Sequence, residues 1–164
     1  MSPEIQTIQR HKTAIRRHDL SLPVKCLVRD ELIDQATTVF DYGCGHGENI
    51  TLLNDQGIAC QGWDPVYRPS GIKANSDVVN LGYVINVIEH PEERTDTLRE
   101  AWGLSDKLLV VSAQIQVSGR GLGYTEFGDG VVTKKNTFQK YYTQAELREY
   151  LESTLKTEIG RAHV

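Results

Sequence analysis

Apolar residues recur along this chain in two alternating patterns, and together the patterns predict its fold. Runs dense in β-branched and aromatic residues predict strands over residues 38–41, 58–63, 77–82 and 107–112. Apolar positions at helical spacing predict helices over residues 21–35, 48–57, 91–104 and 143–155. Strands that alternate with helices predict an α/β fold with a mostly parallel sheet and flanking helices.

Composition and charge limit the class of protein. The 164 residues suffice for one domain, and 39% hydrophobic with 24% charged residues is typical of a globular chain. The net charge of −4 excludes a protein that is basic throughout but allows a local basic face. Three cysteines without Cys-x-x-Cys spacing, no signal peptide and no long apolar segment predict a cytoplasmic protein without a membrane span.

The chemistry is concentrated where the first predicted strand ends, in Asp41-Tyr42-Gly43-Cys44-Gly45-His46-Gly47. Glycines at alternate positions let the backbone turn tightly and approach a ligand, so a strand, this loop and a helix predict a nucleotide-type cofactor site. A purely structural turn is the alternative. Cys44 and His46 lack a second pair of ligands, so we expect no metal here.

An acidic residue ends the second predicted strand. Asp64 follows Trp63 at close to the ~20-residue spacing at which a carboxylate meets a ribose diol. The alternative is a solvent-facing aspartate that opens the Asp64-Pro65 turn. If the first interpretation holds, the carboxylate accepts hydrogen bonds from both ribose hydroxyls.

The pattern Asp-x-Gly-x-Gly-x-Gly after a strand resembles the first motif of the class I S-adenosylmethionine-dependent methyltransferases. Residues 37–113 follow the scheme of that family in order and spacing. The resemblance implies a Rossmann-like fold, S-adenosylmethionine as cofactor, and an acceptor side formed by residues 80–86. The cofactor-binding residues that it implies are Asp41, Gly43, Cys44, Gly45, Gly47, Asp64 and Asn80.

A narrower resemblance covers most of the chain. Residues 11–15 (HKTAI), 20–23 (LSLP), 41–47 and 79–89 (VNLGYVINVIE) together are similar to the DNA phosphorothioation-associated methyltransferases. This resemblance implies a role in a DNA-modification system. Asn/Asp-Pro-Pro-Tyr and the Pro-Cys nucleophile are absent from the sequence, which disfavours methylation of an exocyclic base amine or of cytosine C5.

The chain departs from the family scheme in two places. Only 12 residues lie between Asp64 and Asp77, too few for the usual helix, strand and helix, so residues 73–77 are the nearest candidates for adenine-side contacts. The helix from Thr143 should lead to two more strands, and none follows. Residues 159–164 can be encoded by the start of a common sequencing adapter, so we expect an incomplete methyltransferase domain over 21–158 with a non-native tail, or else a genuinely short chain.

The N-terminal 20 residues form a basic arm. Residues 1–30 hold six lysine or arginine residues against three acidic ones, and Lys12, Arg16 and Arg17 are candidate contacts to DNA phosphates. A solvated, flexible terminus is the alternative. A second unusual stretch, residues 114–142, mixes glycines with aromatic and basic residues and predicts a long functional loop.

Methyl transfer from a sulfonium depends mainly on positioning, so a strong base is not required. Tyr83 and Asn86 are the candidate residues for orienting a methyl acceptor, although both can simply complete hydrogen bonds at a strand end. The main hypothesis is a methyltransferase that acts near nucleic acid. The competing hypotheses are a cofactor-binding module without turnover in a DNA-modification assembly, and a small-molecule O- or N-methyltransferase.

Overall fold

The computed structural model describes residues 7–160. Its helices and strands follow one another as α1 (Leu22–Arg29), β1 (Thr38–Tyr42), α2 (Glu48–Asp55), β2 (Ala59–Trp63), β3 (Ser76–Gly82), α3 (Pro91–Leu104), β4 (Ser105–Ser112), β5 (Thr125–Phe127), β6 (Gly130–Val132), β7 (Phe138–Gln139) and α4 (Gln144–Leu155), after a short 3-10 helix at Arg10–Thr13. Contacts divide the described chain into two compact units. We call residues 14–84 and 100–112 the sheet unit, and residues 7–13, 85–99 and 113–160 the hairpin unit.

The sheet unit is built on a four-stranded parallel sheet in the order β2-β1-β3-β4. Its core contains Val24, Leu27, Val39, Leu53, Ile58 and Val78, all at most 5% exposed. The register places Asp41 of β1 opposite Asn80 of β3. Parallel strands end at one edge of the sheet, so the Gly loop and the end of β3 lie side by side.

Strand β4 differs from the prediction in its burial. A run as dense in β-branched residues as 107–112 predicts a buried strand, but the apolar residues of β4 are only partly buried, so that prediction is wrong. Among the strands of residues 7–160, β4 pairs with β3 alone. An edge strand has an open side, and partial burial follows from that position.

The first helix is also shorter than predicted. It ends at Arg29, followed by Asp30 at the C-cap and Glu31 with a φ of +56°. A left-handed residue cannot continue the right-handed helix, so the apolar residues after it lie outside α1.

The short connection from β2 to β3 contains neither a helix nor a strand over residues 65–75. Lys73 from this connection donates to both carboxylate oxygens of Glu100 at 2.9 and 3.0 Å and lies 3.9 Å from the centre of the Trp63 ring. The Tyr42 hydroxyl also donates to Glu100. These contacts join the connection to the ends of β1 and β2 and to α3.

The hairpin unit corrects the prediction for residues 114–142. We predicted one long loop, but the segment contains a three-stranded antiparallel sheet, β5-β6-β7. Its strands have only two or three residues each, too few to show a hydrophobic period in the sequence. The predicted start of the last helix at Thr143 is confirmed, and the sequence Thr-Gln-Ala-Glu forms a capping box there: Glu146 N donates to Thr143 Oγ1 at 3.1 Å, and Thr143 N donates to Glu146 Oε2 at 3.3 Å.

The predicted basic arm is divided between the two units. Residues 7–13 belong to the hairpin unit, where Arg10 pairs with Glu89 and Glu93 at 2.9 and 2.6 Å; residues 14–20 belong to the sheet unit. The rest of the arm, residues 1–6, lies outside the described residues, as do residues 161–164 of the predicted tail. Within residues 7–160, no helix is both long and apolar enough to cross a bilayer.

Candidate cofactor site

The Gly loop between β1 and α2 has the backbone conformation that its glycines predict. Gly43, Gly45 and Gly47 have φ angles of +75°, +54° and +86°, in the left-handed region that side chains other than hydrogen disfavour. Gly47 is the N-cap of α2. The loop therefore holds its shape because these three positions are glycine.

Two of the three glycines are also needed for space. A Cβ at Gly43 would lie 2.5 Å from Cγ2 of Val84, and a Cβ at Gly47 would lie 2.9 Å from the guanidinium of Arg68. A Cβ at Gly45 would only reach ordinary contact with Ala14, at 3.5 Å. Gly45 is thus constrained by its backbone angle more than by its neighbours.

Asp41 anchors a hydrogen-bond network beneath the loop. Its carboxylate is 3% exposed and accepts from Asn80 Nδ2 at 2.9 Å and from Asn49 Nδ2 at 3.1 Å. Asn49 in turn donates to Ser21 Oγ at 3.1 Å and accepts from Ser21 N at 2.9 Å. Burial raises the pKa of Asp41, against the opposing effect of these hydrogen bonds and of the nearby positive charge of Arg17. The network ties β1, β3, α2 and the start of α1 to one buried carboxylate.

Asn80 has one polar atom that the chain leaves unused. Its side chain is 2% exposed, and its Oδ1 has no hydrogen-bond partner within the described residues. Because a buried acceptor without a donor costs about 1–3 kcal/mol, such an atom at the end of a strand indicates a place for a ligand donor.

Asp64 is held by the backbone around it. Oδ2 accepts from Gly45 N at 3.0 Å, while Oδ1 accepts from Val66 N and Tyr67 N, both at 2.9 Å. The side chain therefore shapes the turn that follows β2 and faces the Gly loop, and its binding of a ribose stays a prediction.

The turn at residues 64–68 lies along the Gly loop through three successive contacts. The first is the hydrogen bond from Gly45 N to Asp64. The second joins the rings of His46 and Tyr67, whose centres are 4.1 Å apart, and the third places the Arg68 guanidinium over Gly47. The loop and the turn therefore form one continuous surface.

Cys44 lies on this surface as a neutral thiol. Burial raises its pKa to about 12, and the charges of Asp41 and Asp64 add to the effect. A thiol in that state is a poor nucleophile, so Cys44 serves the site by shape.

Lys73 and Asp77, which bound the segment proposed for adenine-side contacts, are engaged in other interactions. Lys73 is engaged by Glu100, and Asp77 lies at the start of β3, where it accepts from Thr38 N at 3.0 Å and pairs with Lys107 at 3.1 Å. Since the Gly loop follows the far end of the neighbouring strand, Asp77 is remote from it along the sheet.

The two acceptor-side candidates fall into different units. Tyr83, in the sheet unit, has a φ of +58° and donates its backbone N–H to Ser112 O at 2.8 Å. Asn86, in the hairpin unit, is 1% exposed and donates through Nδ2 to Gln139 Oε1 at 3.0 Å. Asn86 Oδ1 has no partner among residues 7–160. Left-handed backbone at a bulky residue stores strain of about 1–3 kcal/mol, which makes Tyr83 notable at this position.

Three residues of the site were missed by the sequence reasoning. Arg68 lies in a turn that looked only irregular, and Asn49 is one polar residue among several on α2. Ser21 stands at the N-cap of α1, where a serine ordinarily caps the helix, but its hydroxyl accepts from Asn49 and caps no amide of α1. Arg68 and Gly47 are 21 residues apart, Asn49 and Ser21 are 28 apart, and Asn49 and Asp41 are 8 apart, so no pattern of adjacent residues signals these contacts.

No protein-family profile and no curated protein matches this sequence. Solved structures do match. 1,6-Didemethyltoxoflavin-N1-methyltransferase from Burkholderia thailandensis, solved with 1,6-didemethyltoxoflavin and S-adenosylhomocysteine, superposes with a TM-score of 0.58 at 16% identity, over 80% of this chain and 64% of its own. The CcbJ methyltransferase from Streptomyces caelestis superposes with a TM-score of 0.54 at 16% identity, over 80% of this chain and 77% of its own. An S-adenosylmethionine-dependent methyltransferase from Thermotoga maritima superposes with a TM-score of 0.46 at 16% identity, over 88% of this chain and 72% of its own.

The first two similarities confirm the predicted fold class, because both are to methyltransferases with a Rossmann-like parallel sheet. The chain spans just under two thirds of the length of the Burkholderia enzyme. None of the three structures provides a link to DNA phosphorothioation.

Proposed function

We propose that this chain is an S-adenosylmethionine-dependent methyltransferase. The observation that carries the proposal is the Gly loop with three left-handed glycines, placed between a buried Asp41–Asn80 pair and Asp64. The fold shared with known methyltransferases supports it. The cofactor would be held by Asp41, Gly43, Cys44, Gly45, Gly47, Asp64 and Asn80.

The residues present fit the chemistry of this cofactor. Its ammonium and ribose hydroxyls are hydrogen-bond donors, and the site offers acceptors: the unpartnered Oδ1 of Asn80 and the carboxylate of Asp64. The buried carboxylate of Asp41 adds negative charge beneath the loop. Because glycine has no Cβ, a ligand could approach the backbone closely at Gly45.

When bound, the cofactor supplies an electrophilic methyl group on a sulfonium sulfur. The chain's contribution is to hold the donor and the acceptor in line, which can account for effective molarities up to ~10⁵–10⁸ M. Tyr83 follows β3, the strand that carries Asn80, and its backbone has a φ of +58°. Tyr83 and Asn86 remain the proposed acceptor-orienting residues.

Calorimetry with S-adenosylhomocysteine tests cofactor binding, and Gly45→Val should abolish it because a branched side chain is disfavoured at a φ of +54° and would crowd the loop where the cofactor is proposed to bind. Gly128→Val is the matched control, since Gly128 has a φ of +55° and a Cβ there meets nothing within 4 Å. Absence of binding to the wild-type chain would contradict the proposal.

Transfer of a labelled methyl group to DNA, RNA or a pool of metabolites then distinguishes the candidate functions. Label on nucleic acid would support a role in DNA modification, including the phosphorothioation association inferred from sequence resemblance, with Lys12, Arg16 and Arg17 as proposed phosphate contacts. Label only on small molecules would support the small-molecule alternative. Cofactor binding without any transfer would support the non-catalytic module.

A further inference from the structure

We infer that the hairpin unit carries a binding surface for the phosphate backbone of a nucleic acid, formed by Lys12, Lys134 and Lys135. We call these three residues the lysine surface. The inference extends the nucleic-acid partner proposed above to residues that the sequence gave no reason to group. It does not depend on methyl transfer.

Backbone hydrogen bonds bring the two parts of the lysine surface together. Gln9 N donates to Asn136 O at 2.8 Å, and the side-chain amide of Asn136 donates to Thr7 O. Lys12 N donates to Gln9 O at 3.0 Å, which closes the 3-10 helix that carries Lys12. Lys12 is therefore three residues from Gln9 in the sequence, and Lys135 is next to Asn136, so the Gln9–Asn136 hydrogen bond brings the two lysine segments together.

The turn that carries Lys134 and Lys135 has a fixed shape. Thr133 N donates to Thr137 O and Asn136 N donates to Thr133 O, both at 2.9 Å, and the two threonine hydroxyls are 2.7 Å apart. Asn136 adopts a φ of +60°, which asparagine tolerates. The lysines are thus presented by a closed turn between β6 and β7.

The charge of this region is uncompensated. Residues 7–13 and 133–137 contain no aspartate or glutamate, and Arg10 already pairs with Glu89 and Glu93. The side chains of Lys12, Lys134 and Lys135 are exposed, and none has a carboxylate partner within residues 7–160. Three unpaired cations on one unit of an acidic chain favour an anionic partner.

The neighbours of the lysines favour nucleic acid over a lipid surface. Thr13, Thr133 and Asn136 use their hydroxyl and amide groups in hydrogen bonds within the unit, so the lysines are the groups presented to an anion. Membrane-surface segments instead combine cations with a large exposed apolar face. Residues 9–13 and 133–137 expose no large apolar side chain.

Fluorescence anisotropy with a short labelled DNA duplex, measured between ~50 and ~200 mM salt, tests the lysine surface. We expect Lys134→Ser/Lys135→Ser to weaken binding and to flatten the slope of log K against log salt by up to ~1.8, at ~0.9 per lost phosphate contact; Lys12→Ser should add up to ~0.9. The matched control is Arg99→Gln/Arg148→Gln, which removes the same charge from exposed positions of the same unit. The control should keep the wild-type slope.

Three results with DNA would overturn the inference: a wild-type slope in the lysine variant, equal flattening in the lysine variant and the control, or no binding of the wild-type chain to DNA at the lowest salt. Binding to phosphatidylserine vesicles that the lysine variant loses, with DNA binding unchanged, would assign the surface to a membrane and also overturn it. Calorimetry with S-adenosylhomocysteine on the same variants keeps the two proposals separate, because cofactor binding should stay at the wild-type value throughout.

Discussion

Asp64 offers the sharpest test of the candidate site, because its carboxylate has a structural task and a proposed ligand task that can be measured separately. Three backbone N–H groups donate to it, two to Oδ1 and one to Oδ2. Each hydrogen bond contributes about 0.5–1.5 kcal/mol to stability, and the lower half of that range applies to a partly exposed group. Loss of all three in Asp64→Ala should therefore lower the free energy of unfolding by about 2 kcal/mol.

The same geometry limits what Asp64 can offer a ribose. A carboxylate has about four acceptor positions, and the backbone occupies both on Oδ1 and one on Oδ2. We therefore expect one strong hydrogen bond to the cofactor where the sequence suggested two. Loss of one charge-assisted bond is worth about 1.5–3 kcal/mol, which corresponds to roughly a 10- to 150-fold weaker affinity.

Two measurements separate the tasks. Urea unfolding of the free chain reports the structural one, and calorimetry with S-adenosylhomocysteine and its 2′- and 3′-deoxy analogues reports the other. Only one deoxy analogue should lose affinity, and in Asp64→Ala that difference should disappear. Asp96→Ala, at an exposed position on α3, serves as control. Equal losses for the two analogues, or wild-type stability of Asp64→Ala, would refute this account of the carboxylate.

Gly43→Ala should lower the free energy of unfolding by about 2–4 kcal/mol, because alanine is strained at a φ of +75° and its Cβ would lie 2.5 Å from Val84. In a Val84→Ala background, urea unfolding should show a smaller loss, because the close contact is removed. Equal losses in the two backgrounds would contradict this explanation. Because burial raises the pKa of Asp41, the wild-type chain gains stability as the pH falls through that pKa and loses it as the pH rises. The free energy of unfolding of the wild type minus that of Asp41→Asn should therefore increase as the pH falls from neutral towards the ordinary carboxyl range. A difference that does not change with pH would contradict this. Arg94→Ala should lower the free energy of unfolding, measured in urea, by about 2–4 kcal/mol. Its buried guanidinium donates to both carboxylate oxygens of Asp129 and to a backbone carbonyl. A loss under ~1 kcal/mol would show that solvent replaces these hydrogen bonds.

The parts of the fold that the sequence predicted well are those determined by neighbours along the chain. The glycine spacing after β1 predicted a left-handed loop that leads into a helix, and the loop has that conformation. The capping box at Thr143 and Glu146 predicted the start of α4. Both signals work because the interacting groups lie within a few residues of one another.

The parts that could not be predicted depend on partners far away in the chain. Arg10 looked like a free cation, but its partners Glu89 and Glu93 are 79 and 83 residues away. Asp64 looked like a ribose ligand or a turn residue, and only the register of the sheet shows that it also binds the amide of Gly45. The small sheet of the hairpin unit was missed because β7 has only two residues.

The contact between the turn at residues 64–68 and the Gly loop has a consequence for the thermodynamics of ligand binding. A glycine-rich loop that moved freely would lose about 1–2 kcal/mol of conformational entropy for each residue ordered by a ligand. Here Asp64, Tyr67 and Arg68 already hold Gly45, His46 and Gly47 in place. That ordering is completed when the chain folds, so a ligand meets a rigid surface and more of its contact energy appears as affinity.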